Sequence, residues 1–302
     1  MVIPARVLLV GPGAVGGTVA AWLRHAGHDV VLAVRTPFEQ LRVETPGPLL
    51  EAQPRIISDP SEIGDPEWVL VATKTYDVEA AAHWLRPLTG GSARVAILQN
   101  GVEHISRFLP FVPADRLLPV MVDIPAEREA PGRIRQRGKG LMQVPEGATG
   151  AAFASLFKPT EIEVAEVTDF TTALWRKLCI NVAGAVPVLA DEPSAVAWRE
   201  PGANVMRALV RECIAAGRAE GAKLGDDIAD AVVLHYRNSP PDSLNSMHAD
   251  RIGGRRMEWD ARNGVVSRLG SKHGIATPVS DTVASLLEAI DERLRGLPAT
   301  GD

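Results

Sequence analysis

The chain has 302 residues, 46% hydrophobic and 23% charged, enough apolar material for two domains, each with its own core. Its 32 Lys and Arg against 37 Asp and Glu leave a net charge of -5, which argues against nucleic acid as the main partner but allows a local basic pocket. Two cysteines, Cys179 and Cys213, are too few for a disulfide framework and read as buried free thiols in a reducing cytosol. No secretory signal is visible. No uninterrupted apolar run reaches the roughly 18–20 residues of a membrane span, because residues 178–190 are broken by Asn181 and Pro187. A cytoplasmic protein is expected.

In chain order, residues 6–10 read as a buried strand. Residues 14–25 read as a helix with Val15, Val19, Trp22 and Leu23 on one face. Strands follow at 29–34, 68–73 and 94–98, with a helix over 77–85. Strands separated by helices pair in parallel through right-handed crossovers, so an α/β sheet is predicted. The middle reads as strands at 117–124, 133–136, 140–144 and 162–165, extending that sheet in mixed orientation. Its basic run, Arg128, Arg133, Arg135, Arg137 and Lys139, has no interleaved aromatic to stack a base and reads as a charge-protected edge strand. From about residue 168 the periodicity turns helical, over 171–186, 204–221, 227–237, 262–273 and 278–294. Proline-bearing loops lie at 191–202 and 238–245. Two domains are expected, 1–167 and 168–302.

Gly11-Pro12-Gly13-Ala14-Val15-Gly16 follows the first strand and opens the first helix. In such a fingerprint Gly11 permits a tight turn, Gly13 lets a pyrophosphate approach the backbone and Gly16 lets helix and strand pack closely. The helix N-terminus then offers free N–H groups to phosphate. The second strand ends in Val34-Arg35-Thr36, where an NAD enzyme usually carries a carboxylate for the ribose hydroxyl. Arg35 can instead pair with a 2′-phosphate, which points to NADPH. In the second domain Lys177 and Asn181 stand at i and i+4 among apolar neighbours and read as a half-buried polar site.

Five segments in order carry a wider resemblance. They are the glycine loop, Lys74-Thr75-Tyr76-Asp77-Val78, Gln99-Asn100-Gly101, the stretch from Trp175 through Lys177 to Asn181, and Ser246-Met247 with Asp250 and, further on, Glu258. On these the chain resembles the ketopantoate reductase, or 2-dehydropantoate 2-reductase, family nearly end to end. The resemblance implies an N-terminal Rossmann-type NADPH-binding domain followed by a mainly α-helical substrate and catalytic domain, with the site in the cleft between them. It implies that Lys177 is the general acid and that Glu258 binds the substrate's terminal hydroxyl and sets the local electrostatics. Asn100, Asn181 and Ser246 would hold the substrate, Ser246 near its carboxylate. Gly11, Gly13, Ala14, Val15, Gly16, Arg35, Lys74 and Asn100 would line the cofactor. The implied reaction reduces ketopantoate to pantoate, in the pathway to pantothenate and coenzyme A, and leaves a homodimer open.

The chemistry suits those roles. Hydride addition puts negative charge on a carbonyl oxygen, and a neighbouring cation can stabilise it and then give up a proton. No metal is needed, and no Cys/His cluster has metal-ligand spacing. The seven histidines are scattered, and His248 reads as a helix-surface residue. Two positions depart from the family pattern. Ala185 stands where a second asparagine is common, and Ala249 where a glutamine is. They leave open a different 2-oxo acid as substrate. A non-catalytic dinucleotide sensor is the reading from another class, and the presence of Lys177 and Glu258 argues against it.

Overall fold

A computed structural model describes residues 3–296, which fall into two compact units on either side of Phe170/Thr171. The first unit runs β1 (Arg6–Val10), α1 (Ala14–His25), β2 (Asp29–Ala33), β3 (Leu41–Glu44), β4 (Leu50–Ala52), β5 (Arg55–Ile57), β6 (Trp68–Val71), α2 (Val78–Leu85), β7 (Arg94–Ile97) and α3 (His104–Phe108). It continues with β8 (Leu117–Pro119), β9 (Met121–Asp123), β10 (Ala126–Ala130), β11 (Arg133–Gln136), β12 (Gly140–Pro145), α4 (Ala148–Phe157) and β13 (Ile162–Val167).

Six strands form an all-parallel sheet in the order β5-β2-β1-β6-β7-β8. With β3 and β4 set aside, this is the doubly wound, Rossmann-type order, and its direction reverses between β1 and β6. The central strand β6 is buried along its whole length, as its unbroken apolar run Trp68-Val69-Leu70-Val71 requires. The predicted α/β class is therefore the observed one.

The middle of the chain differs from the mixed extension that the sequence suggests. Residues 117–124 are two strands, not one. β8 joins the main sheet beside β7, whereas β9 pairs with β12 in a separate three-stranded sheet, β13-β12-β9. The chain changes sheets at Val120, which is fully buried, so hydrophobicity runs on through the break and hides it. A third sheet, β10-β11-β3-β4, covers the side of α1 away from the main sheet. Gly16 to Leu23 are buried in consequence, and the single apolar face read for α1 understates its enclosure. Gly17 permits this, because a Cβ there would overlap Ile134 of β11. β10 is the exposed edge. The basic run is not mainly on this edge: Arg133 and Arg135 lie on β11, an interior strand, and β10 supplies the matching carboxylates, Glu127 pairing with Arg137 and Glu129 with Arg135, both at 2.8 Å.

The second unit contains α5 (Phe170–Ala183), α6 (Ala185–Ala190), α7 (Glu200–Ala219), α8 (Ile228–Asn238) and α9 (Ser246–Ile252). A π-helical turn, Asp260–Gly264, leads into α10 (Val265–His273), and α11 (Pro278–Leu294) follows. The central helix α7 buries Ala203, Met206, Val210, Cys213 and Gly217 at helical spacing. Gly217 faces Trp175 of α5, where a Cβ would lie 2.8 Å from the indole ring. Cys179 and Cys213 are buried free thiols with their Sγ atoms 3.7 Å apart, and burial pushes the Cys213 thiol's pKa up.

Within residues 170–190 an 18-residue window reaches a mean hydropathy of 1.3, enough by length and composition alone to cross a membrane. Asn181 and Pro187 do not offset the surrounding alanines, valines and leucines. In the structure, 67% of that window is buried inside the protein, as for the core helix of a helical domain.

Candidate active site

The first group of candidate residues lies at the carboxyl end of the parallel sheet, in the loops after β1, β6 and β7. Ligands of such sheets bind where the strand order reverses, and here that point lies between β1 and β6. Gly11 has φ +85°, and its amide donates to the Ala33 carbonyl at 3.4 Å. A Cβ on Gly16 would lie 2.9 Å from the Ala72 side chain, so glycine is what lets α1 close on the sheet. Gly13 is different, with nothing within 4 Å of where a Cβ would point. It is the N-cap of α1, no side chain caps that end, and no acidic residue occupies the first turn. Ala14 and Val15 are half-buried beside it. This is an open, positively polarised helix end of the kind that takes a pyrophosphate.

Arg35 stands just past the end of β2. Its side chain is 81% exposed and reaches Asp77 at 3.4 Å. An exposed pair of this kind is weak, so a phosphate can displace the carboxylate. Lys74 and Asn100 are half-buried at the ends of β6 and β7. Gln99 ties these two loops together: its carboxamide nitrogen donates to Thr73 Oγ1 at 3.1 Å and to the Lys74 carbonyl at 3.3 Å. His104 holds the same turn from below, with its Nε2–H donating to the Gln99 carbonyl at 2.7 Å. A carbonyl only accepts, so this bond fixes the neutral tautomer. Burial lowers the His104 pKa to about 4.

The second group lies around the junction of α5 and α6. The helix breaks at Gly184, and Pro187 in the next turn has no N–H to bond back. The Gly184 amide is shared between the Ile180 and Asn181 carbonyls, and side chains converge on the carbonyls of this stretch. Tyr236 Oη donates to the Ile180 carbonyl at 3.1 Å, Arg262 Nη2 to Asn181 at 3.3 Å, Asn263 Nδ2 to Val182 at 3.1 Å and Asn245 Nδ2 to Gly184 at 2.9 Å. The widened π turn lets the adjacent residues Arg262 and Asn263 both face α5. Lys177 is half-buried one turn before this junction, and Asn181, at 8% exposure, lies within it.

Ser246 is the exposed first residue of α9, a helix capped by Asn245, whose Oδ1 accepts from the amides of Met247 and His248. Glu258 is 6% exposed. The amide of Met257, just before it, donates to buried Asp291 of α11 at 2.6 Å, which fixes the start of that segment. His248 is not the surface residue the sequence suggests. It is 1% exposed, and neither ring nitrogen has a hydrogen-bond partner. Burial lowers its pKa, opposed by Asp191 at 3.7 Å, too far for a hydrogen bond. A helix of only seven residues shows too little periodicity to warn that α9 lies against α6. No group of three or more His, Cys, Asp or Glu is placed to hold a metal among the described residues.

Residues 7–149 match the family model described as ketopantoate reductase PanE/ApbA, and residues 169–291 match the model of its C-terminal domain. The 2-dehydropantoate 2-reductase of Caulobacter vibrioides is 54% identical over 94% of this chain and 98% of its own length. The chain belongs to the ketopantoate reductase family. The Mycobacterium tuberculosis 2-dehydropantoate 2-reductase is 41% identical over 95% of this chain and 98% of its own. A crystal structure of a ketopantoate reductase from Ralstonia eutropha, 31% identical, superposes with a TM-score of 0.88 over 96% of this chain and 99% of that one.

Within this ketopantoate reductase fold, sequence reasoning missed Gln99 as the tie between two site loops, and Arg262, Asp291 and Tyr236 as supports of the helical half. Gln99 had a signal, since it adjoins Asn100 in a motif. Arg262 had a weaker one, four residues after Glu258. The other two come from distant helices, and nothing local marks them. Ala185 is fully buried at the start of α6, beyond the break. It therefore does not simply continue the Lys177–Asn181 stripe of α5.

Proposed function

We propose that this enzyme reduces a 2-oxo acid to its 2-hydroxy acid with NADPH, and that the physiological substrate is ketopantoate, reduced to pantoate for pantothenate and coenzyme A. The observation that carries this reading is end-to-end similarity to two 2-dehydropantoate 2-reductases, at 54% and 41% identity. In this reading residues 1–167 bind the cofactor and 168–302 bind the substrate. Gly11, Gly13, Ala14, Val15 and Gly16 receive the pyrophosphate, Arg35 the 2′-phosphate, and Lys74 and Asn100 the nicotinamide end. The bound cofactor supplies a hydride. Lys177 stabilises the charge that develops on the carbonyl oxygen and protonates it. Asn100, Asn181 and Ser246 hold the substrate, and Glu258 accepts its terminal hydroxyl. A cytoplasmic location and a second copy of the chain as partner belong to the same reading, and light scattering checks the second.

Ala185, where a second asparagine is common in the family, leaves a variant of this function, with a different branched or hydroxylated 2-oxo acid as the preferred substrate. NADPH oxidation measured with ketopantoate and then with a panel of 2-oxo acids decides between them. Ketopantoate should give the highest kcat/KM. A different best substrate favours the variant, and turnover of none rejects both in favour of a cofactor-binding sensor.

A further inference from the structure

We infer that Arg262 is the positioning residue of the substrate site: it fixes the Ser246 hydroxyl as a hydrogen-bond donor and ties it to the backbone at Asn181. Ser246 thereby presents its proton to a carboxylate. The inference rests on the 2-oxo acid reading above. Arg262 is 3% exposed, and its guanidinium carries only donors. Nη1 donates to Ser246 Oγ at 2.9 Å, while Nη2 donates to the Asn181 carbonyl at 3.3 Å. A serine hydroxyl that accepts from arginine keeps one proton, which must point elsewhere. Ser246 is exposed, so that proton faces the side from which a ligand arrives. A group that can only accept satisfies it, and a carboxylate is such a group.

A second observation supports a role beyond architecture. Tyr236, Asn263 and Asn245 also donate to carbonyls at the α5–α6 break, and the Gly184 backbone is crowded by Tyr236 Oη and Arg262 Nη2, at 2.8 and 3.0 Å from where a Cβ would sit. Those supports would close the break with neutral donors. Arg262 instead brings a buried cation there, with Nε left without a partner. Burial pulls its pKa down, opposed by Tyr236, Glu258 and Asp250. A desolvated cation one bond behind the serine polarises that hydroxyl as a donor and favours an anion in front of it.

The test uses the full chain with NADPH and its best 2-oxo acid. Arg262→Met keeps the length of the side chain and removes every donor. It should raise KM roughly tenfold or more, the factor for a hydrogen bond to a charged group, with a much smaller change in kcat. NADPH affinity should be unchanged. Ser246→Ala should raise KM similarly, and the double variant should be little worse than either single one, because both remove the same interaction. Arg262→Lys should restore part of the loss. A lowered Tm with unchanged KM in Arg262→Met, or multiplicative effects in the double variant, would overturn the inference. Should Arg262→Met not fold, the exposed Ser246→Ala and its combination with Arg262→Lys carry the test, and an unchanged KM in Ser246→Ala, or multiplicative effects in the combination, overturns it. Wild-type protein that turns over no 2-oxo acid overturns the functional reading as well.

Discussion

Gly11 faces Thr73 across the carboxyl ends of β1 and β6 so closely that a Cβ on Gly11 would lie 2.7 Å from the threonine methyl and 2.9 Å from its amide nitrogen. Gly13, two residues on, would meet nothing within 4 Å. The two glycines therefore serve different ends, and substitution separates them. Gly11→Ala forces both an overlap and a left-handed backbone on alanine, and should cost about 1–3 kcal/mol of stability. Gly13→Ala should fold with an unchanged Tm yet bind NADPH at least roughly tenfold more weakly, because its methyl occupies the approach to the pyrophosphate. Thermal melts beside NADPH titrations check this. Equal NADPH affinity in Gly13→Ala would remove the loop from the cofactor site.

Arg35 sets cofactor choice in the proposed reading. Its side chain is exposed, so solvent screening lowers its worth toward the bottom of the range for charge-assisted bonds. Arg35→Ala should weaken NADPH binding by about 1–2 kcal/mol, roughly five- to thirtyfold, and leave NADH nearly unaffected. Raising the salt concentration should narrow the wild-type preference. Equal affinities of the wild type for the two cofactors would reject the assignment.

Lys177 acts on the transition state in this reading, so its loss belongs in kcat. Lys177→Ala should lower kcat roughly 10²–10⁴-fold while NADPH affinity stays as in the wild type. Glu258→Gln keeps the shape of a buried side chain and should raise KM more than it lowers kcat. Steady-state kinetics at saturating NADPH decide both. Near-normal turnover by Lys177→Ala would take the proton-donor role from this lysine.

His104 makes stability depend on pH. Its pKa is about 4 in the folded chain against 6.5 when exposed, so the unfolded chain binds more protons between those values. The stability contributed by neutral His104 is fully present above pH 6.5 and is lost as pH falls toward 4. Denaturant titrations should show up to about 1.4 kcal/mol lost per pH unit in that window, about 3 kcal/mol in all. His104→Gln can keep the donor to the Gln99 carbonyl and should flatten the slope. An unchanged slope would place the titrating group elsewhere, with buried His248 the next to test, since its pKa is shifted in the same direction.

The sequence by itself determined the dinucleotide loop and much of the element list. Residues 6–10 and 14–25 lie in the chain as strand and helix with the bounds that periodicity predicts, and so does the helix at 278–294. Gly11, Gly13 and Gly16 are legible because their constraint is local: a turn, a close approach, and a helix start within six residues. Lys177 and Asn181 are legible as a pair because one helical turn relates them. Tertiary structure decided the rest. Only packing divides residues 117–124 between two sheets, because the apolar run continues through buried Val120 and Met121 and marks no break. β4 and β5, three residues each, are too short to show a period, and β10 has no buried residue to mark one; they exist because neighbouring strands supply their hydrogen bonds. The helix break after Ala183 moves Ala185 off the stripe that counting in fours would give it. Arg262 reaches Ser246 and Asn181 from 16 and 81 residues away, and a guanidinium can be kept in so buried a place only where folding has already gathered the acceptors that it needs.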